Sequence, residues 1–138
     1  VGSDLTFSDI DMPLFRLSEM YLIYAEAVLR GGTGGDAGTA LTYINNIRTR
    51  AYGSAVGNIT SGALTLDFIL DERARELYWE GFRRTDLIRY GKFTTASYVW
   101  PFKGGVKAGT SVGTFRNLYP IPDQDRAVNP NLKQNTGY

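Results

Sequence analysis

The sequence predicts a mainly α-helical protein, consisting of a tetratricopeptide-like helical hairpin, further helices and a long, ordered but irregular C-terminal segment. Three observations support this fold class. Apolar residues recur at helical spacing in two stretches before residue 53 and in a third after residue 65. Glycines stand where each stretch stops, as they do at helix C-termini. After Phe93 the helical period is lost, and glycines and four prolines break the chain.

The composition narrows the classes of function. The chain has 138 residues, enough for one domain with a core. Its 15 lysines and arginines balance 14 acidic residues, so there is no excess of positive charge for nucleic acid. Cysteine and histidine are absent, which excludes disulfides, Cys/His metal sites and Cys- or His-dependent nucleophiles. Together with the structural interpretation of the acidic residues given below, this leads us to expect no catalytic residue, no metal site and no cofactor.

The first helix follows a short lead-in. Residues 1–13 contain glycine, serine and several aspartates, and we expect them to be extended. Pro13 suits the first turn of the helix, where its missing N–H costs little. The apolar period then runs through Leu14, Leu17, Tyr21, Tyr24, Ala25, Val28 and Leu29, and Gly31 and Gly32 end it.

A second helix completes a hairpin over residues 14–53. Asp36 is placed to cap its N-terminus, and Gly53 closes it. Its apolar face consists of Ala37, Ala40, Leu41, Ile44, Ile47 and Ala51. The small side chains of Ala25, Ala37 and Ala40 would let the two helices approach closely. Because one helix pair cannot bury both of its faces, we expect an apolar face to remain open for a neighbour.

A helix pair is predicted over residues 65–93. Residues 53–64 are rich in glycine and serine and are predicted to form a flexible connection. Thr65 is placed to cap the third helix, whose buried stripe is Leu66, Ile69, Leu70, Ala74 and Leu77. Gly81 interrupts this helix, and a shorter fourth helix runs through Thr85, Leu87, Ile88 and Tyr90 as far as Gly91.

Residues 94–138 form the predicted irregular tail. Tyr98, Trp100 and Phe102 alternate along it, which would place their rings on one face of an extended segment. Asp123 and Asp125 are expected to start a single helical turn.

Four segments resemble the C-terminal region of the SusD/RagB family. Residues 15–27 read FRLSEMYLIYAEA, and residues 70–93 read LDERARELYWEGFRRTDLIRYGKF. Residues 98–105 read YVWPFKGG, and residues 117–138 read NLYPIPDQDRAVNPNLKQNTGY. Their order and spacing also fit the family. Since its full polypeptides are several times longer, Val1 is interpreted as an internal start that follows a missing N-terminal part.

The resemblance implies non-catalytic binding of glycan nutrients. Members of the family are surface lipoproteins of Gram-negative Bacteroidetes, anchored in the outer membrane by a lipidated N-terminal cysteine that this chain lacks. They cover a SusC-like TonB-dependent transporter and deliver glycans to it. The implied partners are thus the transporter, a glycan and the missing N-terminal part of the same protein, with no nucleic acid. The implied location is the cell outer membrane, exposed at the surface.

The alternative function is a helical-hairpin scaffold that binds a protein or peptide through its exposed groove. An enzyme ranks third, because the one suggestive carboxylate pair has a structural explanation. Glu72 and Glu76 lie one helical turn apart, as do Asp71 and Arg75. A catalytic acid needs surroundings that disfavour its ionised form, whereas interleaved arginines favour it.

We therefore predict that the charged motif is structural. We expect Glu80 and Arg83 or Arg84, with Asp86, to tie the third helix to the fourth through bidentate arginine contacts. The structural motif comprises Glu72, Arg73, Arg75, Glu76, Trp79, Glu80, Gly81, Arg83, Arg84 and Asp86.

The aromatic residues offer the candidates for a glycan site. Tyr78, Trp79 and Phe82 belong to the segment that resembles the family, and we expect them to wedge one helix against the next. Tyr98 and Trp100 are the candidate platforms on which a sugar would stack, although covering the helices is the competing interpretation. Tyr52, beside the glycine-rich connection, is a further candidate. Nothing in the sequence identifies the glycan.

Overall fold

The structure, a computed structural model, describes residues 13–138. These residues form helices and short 3-10 turns with no β-strand, which confirms the mainly α-helical prediction. The helices are α1 (Leu17–Leu29), α2 (Ala37–Tyr52), α3 (Leu66–Glu76), α4 (Arg83–Arg89) and α5 (Asp123–Val128). The predicted lead-in lies outside the described residues, apart from Pro13. The chain divides into two compact units, the first ending at Glu80 and the second beginning at Gly81. The boundary falls within the predicted helix pair.

The start and the buried face of α1 differ from the prediction. Pro13 is not in its first turn, since Arg16 is extended (φ −125°, ψ 147°) and the helix begins at Leu17. Leu14 and Leu17 are exposed, whereas Leu22 and Ala25 are completely buried. The stretch is apolar around most of its circumference, so its period did not identify the face that packs. An apolar face of α1 remains open in the structure, as predicted.

α1 and α2 form the predicted hairpin. The rings of Tyr21 and Tyr43 stack with their centroids 4.3 Å apart. The Tyr24 hydroxyl accepts a hydrogen bond from the backbone of Asp36 at 3.1 Å. Late residues of α1 thus meet early residues of α2, as an antiparallel pair requires. Of the three alanines predicted to allow close approach, Ala25 and Ala40 are completely buried, while Ala37 is exposed.

Both ends of α2 follow the sequence signals. The Asp36 carboxylate accepts a hydrogen bond from the Thr39 backbone N–H at 2.8 Å, which lowers the pKa of Asp36. Gly53 ends the helix in the left-handed conformation (φ 67°). Ile44 and Ile47 are buried as predicted, but Ala51 is exposed.

The predicted flexible connection over residues 53–64 is instead folded against α2. It contains two 3-10 turns, Ala55–Gly57 and Ser61–Ala63. The Asn45 side chain donates to the Ile59 carbonyl at 3.0 Å and accepts from the Ile59 backbone N–H at 2.9 Å. Arg48 Nε also donates to the Gly57 carbonyl. The glycine and serine content predicted a flexible backbone, but it did not indicate that the side chains of Asn45 and Arg48 would bind this segment.

α3 carries two carboxylates that bind arginines from outside the helix. Glu76, whose side chain is only 7% exposed, pairs with Arg16 at 3.0 Å and with Arg50 at 2.5 Å. Glu72 pairs with Arg48 at 2.8 Å and with Arg75 at 2.7 Å. Arg75 thus neutralises Glu72, which lies three positions before it on the same helix.

Arg16 joins the segment before α1 to the end of α3. Its guanidinium also pairs with Glu80 at 2.7 Å and donates to the Glu76 carbonyl at 2.7 Å. The hydrogen bond to Glu80 is the largest cause of a raised pKa for Arg16. Glu80, predicted to pair with an arginine of the next helix, is therefore bound to Arg16. These bonds explain why the chain stays extended up to Leu17.

Two aromatic rings of the predicted wedge are exposed. Trp79 is 90% exposed and Tyr78 is also exposed, so neither ring separates packed helices in the described residues. α3 ends at Glu76, and Trp79 takes a left-handed conformation (φ 68°) in the turn that follows. This conformation normally favours glycine, and Trp79 adopts it where the chain leaves the helix.

The second unit contains little regular structure. α4 buries Asp86, which pairs with Arg89 at 2.9 Å. α5 begins at Asp123, as predicted. No described helix has the length and apolar character needed to cross a membrane.

We expect Glu76→Gln to lower the free energy of unfolding by roughly 2–3 kcal/mol, because Arg16 and Arg50 lose a buried counter-charge. Asp123→Asn is the control, since this carboxylate is 93% exposed and its pair with Arg126 should contribute less than about 0.5 kcal/mol. Urea unfolding followed by helical circular dichroism measures both. Equal effects of the two substitutions would contradict the central role of Glu76.

Candidate functional site

An open cavity of about 710 Å³ lies within the second unit, and we call it the tail cavity. This volume is within the range of ligand pockets, about 300–1,000 Å³. Trp100 is 37% exposed and Phe102 is 69% exposed. The residues that line the cavity are Phe93, Trp100, Phe102, Lys103, Gly104, Gly105, Ser111, Val112, Gly113, Phe115 and Arg116.

A tight turn after Trp100 shapes one side of the tail cavity. Phe102 takes a left-handed conformation (φ 66°), and the Lys103 backbone N–H donates to the Trp100 carbonyl at 3.0 Å. Tyr98, Trp100 and Phe102 therefore do not alternate along one extended face, as had been predicted. A non-glycine residue in this conformation costs about 1–3 kcal/mol and persists only where its surroundings impose it. Here the turn directs an exposed aromatic ring to the cavity.

Glycine at position 109 allows the chain to pass behind Trp100. Gly109 has φ 81°, and a side chain at this position would collide with the Trp100 carbonyl oxygen. The Thr110 backbone N–H then donates to the Lys103 carbonyl at 3.1 Å. The backbone that follows Trp100 is thus held by main-chain hydrogen bonds, without a β-strand.

Lys103 is a buried cation that binds backbone carbonyls. Its Nζ donates to the Thr95 carbonyl at 2.9 Å and to the Tyr98 carbonyl. Nζ also lies 4.8 Å from the centre of the Trp100 ring, within cation–π distance. Burial lowers the pKa of the Lys103 ammonium. The side chain therefore fixes the segment that carries Tyr98 and Trp100.

Phe115 forms the opposite side of the tail cavity. Tyr138 packs edge-on against it with ring centroids 5.0 Å apart. A side chain at Gly137 would approach the Phe115 ring to 2.5 Å, so only glycine fits there. Arg84 donates to the Arg116 carbonyl at 2.7 Å, and its guanidinium lies 3.9 Å from the Tyr119 ring centre. These contacts hold the Phe115–Arg116 backbone in place.

The predicted glycan candidates do not all line the tail cavity. Trp100 lines the tail cavity. Tyr98 is half-buried, its hydroxyl accepts a hydrogen bond from Arg83, and together with Trp100 it lines a second cavity of about 370 Å³. Tyr52 belongs to the first unit, where it is exposed and packs against Gly57 and Arg48. Only Trp100 of the three lines the tail cavity.

Sequence reasoning missed several residues that line the tail cavity, above all Phe93, Phe115 and Arg116. They come from segments up to 23 positions apart, and no local spacing marks them as neighbours. A count of charge along the chain would have drawn attention to this region. Residues 81–138 carry nine lysines and arginines but only three aspartates, whereas residues 1–80 carry six basic and eleven acidic residues.

Glu72 and Glu76, the one suggestive carboxylate pair in the sequence, both lie on α3. Glu72 and Glu76 each bind two arginines, so both are committed to structural ion pairs. No aspartate or glutamate is among the described residues that line the tail cavity. Within residues 13–138, no group of three acidic side chains is arranged to hold a metal ion. The arrangement of the cavity suits binding by ring stacking and hydrogen bonding.

The chain is similar to proteins of one family. The model of the SusD family matches residues 2–138. Starch-binding protein SusD of Bacteroides thetaiotaomicron is 47% identical over 138 residues, which cover 99% of this chain and 23% of that protein. The chain thus spans about a quarter of the length of this curated relative.

Solved structures give the same result. Surface glycan-binding protein A from Bacteroides thetaiotaomicron, in complex with laminarihexaose, is 36% identical with a TM-score of 0.68, over 88% of this chain and 24% of that one. A SusD superfamily protein from Bacteroides vulgatus is also 36% identical, with a TM-score of 0.69 over 99% of this chain and 30% of that one.

We expect the stability of the wild type, relative to Lys103→Met, to rise with pH as the pH approaches 10.5. Because burial lowers the pKa of Lys103 in the folded state, the unfolded chain binds more protons between the folded and unfolded pKa values. Below the folded pKa the difference between the two proteins should be constant. Urea unfolding of both proteins between pH 7 and 10.5 measures it. A difference that falls with rising pH would mean that the carbonyl bonds outweigh the burial of the charge.

Proposed function

We propose that this chain, which belongs to the SusD family, binds glycan nutrients at the bacterial cell surface without catalysing a reaction. The observation that carries the proposal is its similarity to proteins described as glycan binders. One is a starch-binding protein at 47% identity, and another is a surface glycan-binding protein in complex with laminarihexaose. In this proposal the glycan passes to a SusC-like TonB-dependent transporter at the outer membrane.

The tail cavity is our candidate for a contact with the glycan. Trp100 and Phe102 present exposed ring surface, on which the C–H face of a sugar can pack while its hydroxyls stay hydrated. Lys103 and the turn through Phe102 hold these rings before any ligand arrives. Such preorganisation favours binding, because less conformational freedom is lost when the ligand enters.

The ion pairs of the α3 carboxylates are consistent with binding of a glycan without hydrolysis. Glycoside hydrolysis generally requires a pair of carboxyl groups flanking the scissile bond. Glu72 and Glu76 are bound to arginines, and the described lining of the tail cavity contains no acidic side chain. The proposed role is therefore capture of the glycan, with its chemistry left to other proteins.

The exposed face of α1 favours a second candidate function, a scaffold for a protein or peptide. Leu17, Met20 and Ile23 are exposed along this helix, an unusual amount of apolar surface for one face. Leu17→Glu separates the two functions, since Leu17 does not line the tail cavity. Under the first function it leaves glycan affinity unchanged. Under the second function it weakens binding of a protein or peptide partner, which the first function does not require.

We expect the chain to bind maltohexaose or laminarihexaose in isothermal titration calorimetry, and Trp100→Ala to weaken this binding about tenfold by removing the stacking surface. Trp79→Ala is the matched control, because Trp79 is more exposed but does not line the tail cavity. We expect the control to bind as the wild type does.

The outcomes of these titrations test separately whether the chain binds glycans and whether it does so at the tail cavity. If Trp100→Ala and Trp79→Ala both bind normally, the glycan contacts lie outside the tail cavity. If the wild type binds neither hexasaccharide nor any glycan of a wider panel, glycan binding by this chain is wrong. Release of shorter sugars during the titration would show that the protein is an enzyme.

A further inference from the structure

We propose that the tail cavity selects oligosaccharides that carry carboxylate groups, and that the Arg116 guanidinium recognises the carboxylate. This inference rests on the proposed function and makes it specific by naming the class of glycan. Starch and laminarihexaose are uncharged, so the inference adds a preference for charge that the names of the relatives do not indicate.

The first support is the distribution of charge. The net charge of +1 for the whole chain conceals two regions of opposite sign. Residues 1–80 have five more acidic than basic residues, and residues 81–138 have six more basic than acidic ones. The tail cavity lies entirely in the basic region. An anionic ligand would therefore be attracted to this unit, and attraction of this kind increases the rate of association.

The second support is the state of Arg116. It is exposed and lines the tail cavity, and among residues 13–138 no carboxylate forms an ion pair with it. The aspartates of the unit are placed elsewhere. Asp86 is buried against Arg89, and Asp123 and Asp125 lie on α5, where Asp123 pairs with Arg126. A ligand carboxylate would thus not compete with one from the described part of the protein.

The geometry around Arg116 suits a planar anion. Its guanidinium carbon lies 5.2 Å from the centre of the Phe115 ring, and Arg84 holds its carbonyl at 2.7 Å. A guanidinium in contact with an aromatic ring keeps its outer N–H groups available, and these match a carboxylate at two points. The same cavity offers the Trp100 and Phe102 rings for the face of the sugar.

Lys103 adds positive potential without forming the bond itself. Its Nζ is engaged by the Thr95 and Tyr98 carbonyls beneath Trp100. Lys92 Nζ lies 5.4 Å from the Tyr98 ring centre, on the same supporting segment. Buried or partly buried charges are screened less by salt than fully exposed ones. Lys103 and Lys92 therefore favour an anion in the cavity through their charge. The Arg116 guanidinium would bind its carboxylate directly.

A concave site with aromatic walls favours a sugar ring over an anionic membrane surface. A lipid surface would be expected to contact lysines and arginines that project together from a convex or flat face. Here the guanidinium, which has no ion pair among residues 13–138, lies in a cavity whose other exposed groups are aromatic rings, glycine backbone and Ser111. The inference therefore commits to a soluble acidic oligosaccharide.

The test compares a hexamer of galacturonic acid with its carboxyl-reduced counterpart, which has the same rings without the charge. We expect the wild-type chain to bind the acidic hexamer about tenfold more tightly in calorimetry at 50 mM salt, as expected for a charge-assisted hydrogen bond. Arg116→Gln should remove that advantage and leave the affinity for the reduced hexamer within about twofold. Retained binding of the reduced hexamer also shows that the variant is folded.

Arg126→Gln is the matched control, because it removes the same charge from the same unit but does not line the tail cavity. We expect it to bind both hexamers as the wild type does. If it weakens acidic binding as much as Arg116→Gln, the effect is general electrostatics and the inference is wrong.

Three further results would overturn the inference in different ways. If the wild type binds both hexamers equally and Trp100→Ala weakens both, the proposed function stands but carboxylate selection fails. If neither hexamer binds, while phosphatidylglycerol vesicles bind in an Arg116-dependent manner, the basic region contacts a membrane surface instead. If nothing binds, including the neutral hexasaccharides, both the inference and the proposed function fail.

Discussion

The ion pairs of Glu72 and Glu76 are the interactions on which the first unit depends. Each carboxylate is buried on α3 and receives an arginine from α2, while Glu76 also binds Arg16 before α1. A buried carboxylate is costly unless it is paired, and an unpaired arginine beside it would be equally unfavourable. The two helices of the hairpin and α3 are therefore held in one register by charge, in addition to the apolar contacts of Leu22, Ile44 and Ile69.

The second unit differs from the first, because its aromatic rings are held in place without a sheet or a long helix. Short turns, the buried ammonium of Lys103 and glycines at close approaches take the place of regular hydrogen bonding. The left-handed conformation of Phe102 costs backbone strain, and its ring is exposed at the cavity. The tail cavity is thus a product of backbone geometry, which explains why its lining comes from separate segments.

The two units differ in how far acidic side chains neutralise their cations. In the first, Arg16, Arg48 and Arg50 are bound to acidic side chains, so their charge serves the fold. In the second, the basic residues outnumber the acidic ones threefold, and Arg116 reaches the tail cavity without a described counter-ion. Charge that no protein group neutralises is available to a ligand. This contrast connects the fold to the binding role that we propose.

The sequence by itself determined the elements that depend on neighbours along the chain. Asp36, Thr65 and Gly53 act as the helix ends that their residue types predict, and the resemblance to the SusD family is confirmed. Only the tertiary structure decided which face of α1 is buried, that Glu80 binds Arg16, and that Trp79 is exposed while Trp100 lines a cavity. Capping and helical period arise from hydrogen bonds within a few residues, so local sequence reports them. Burial and ion pairing join residues up to 64 positions apart, and no local pattern specifies which of several arginines or aromatic rings will meet a given partner.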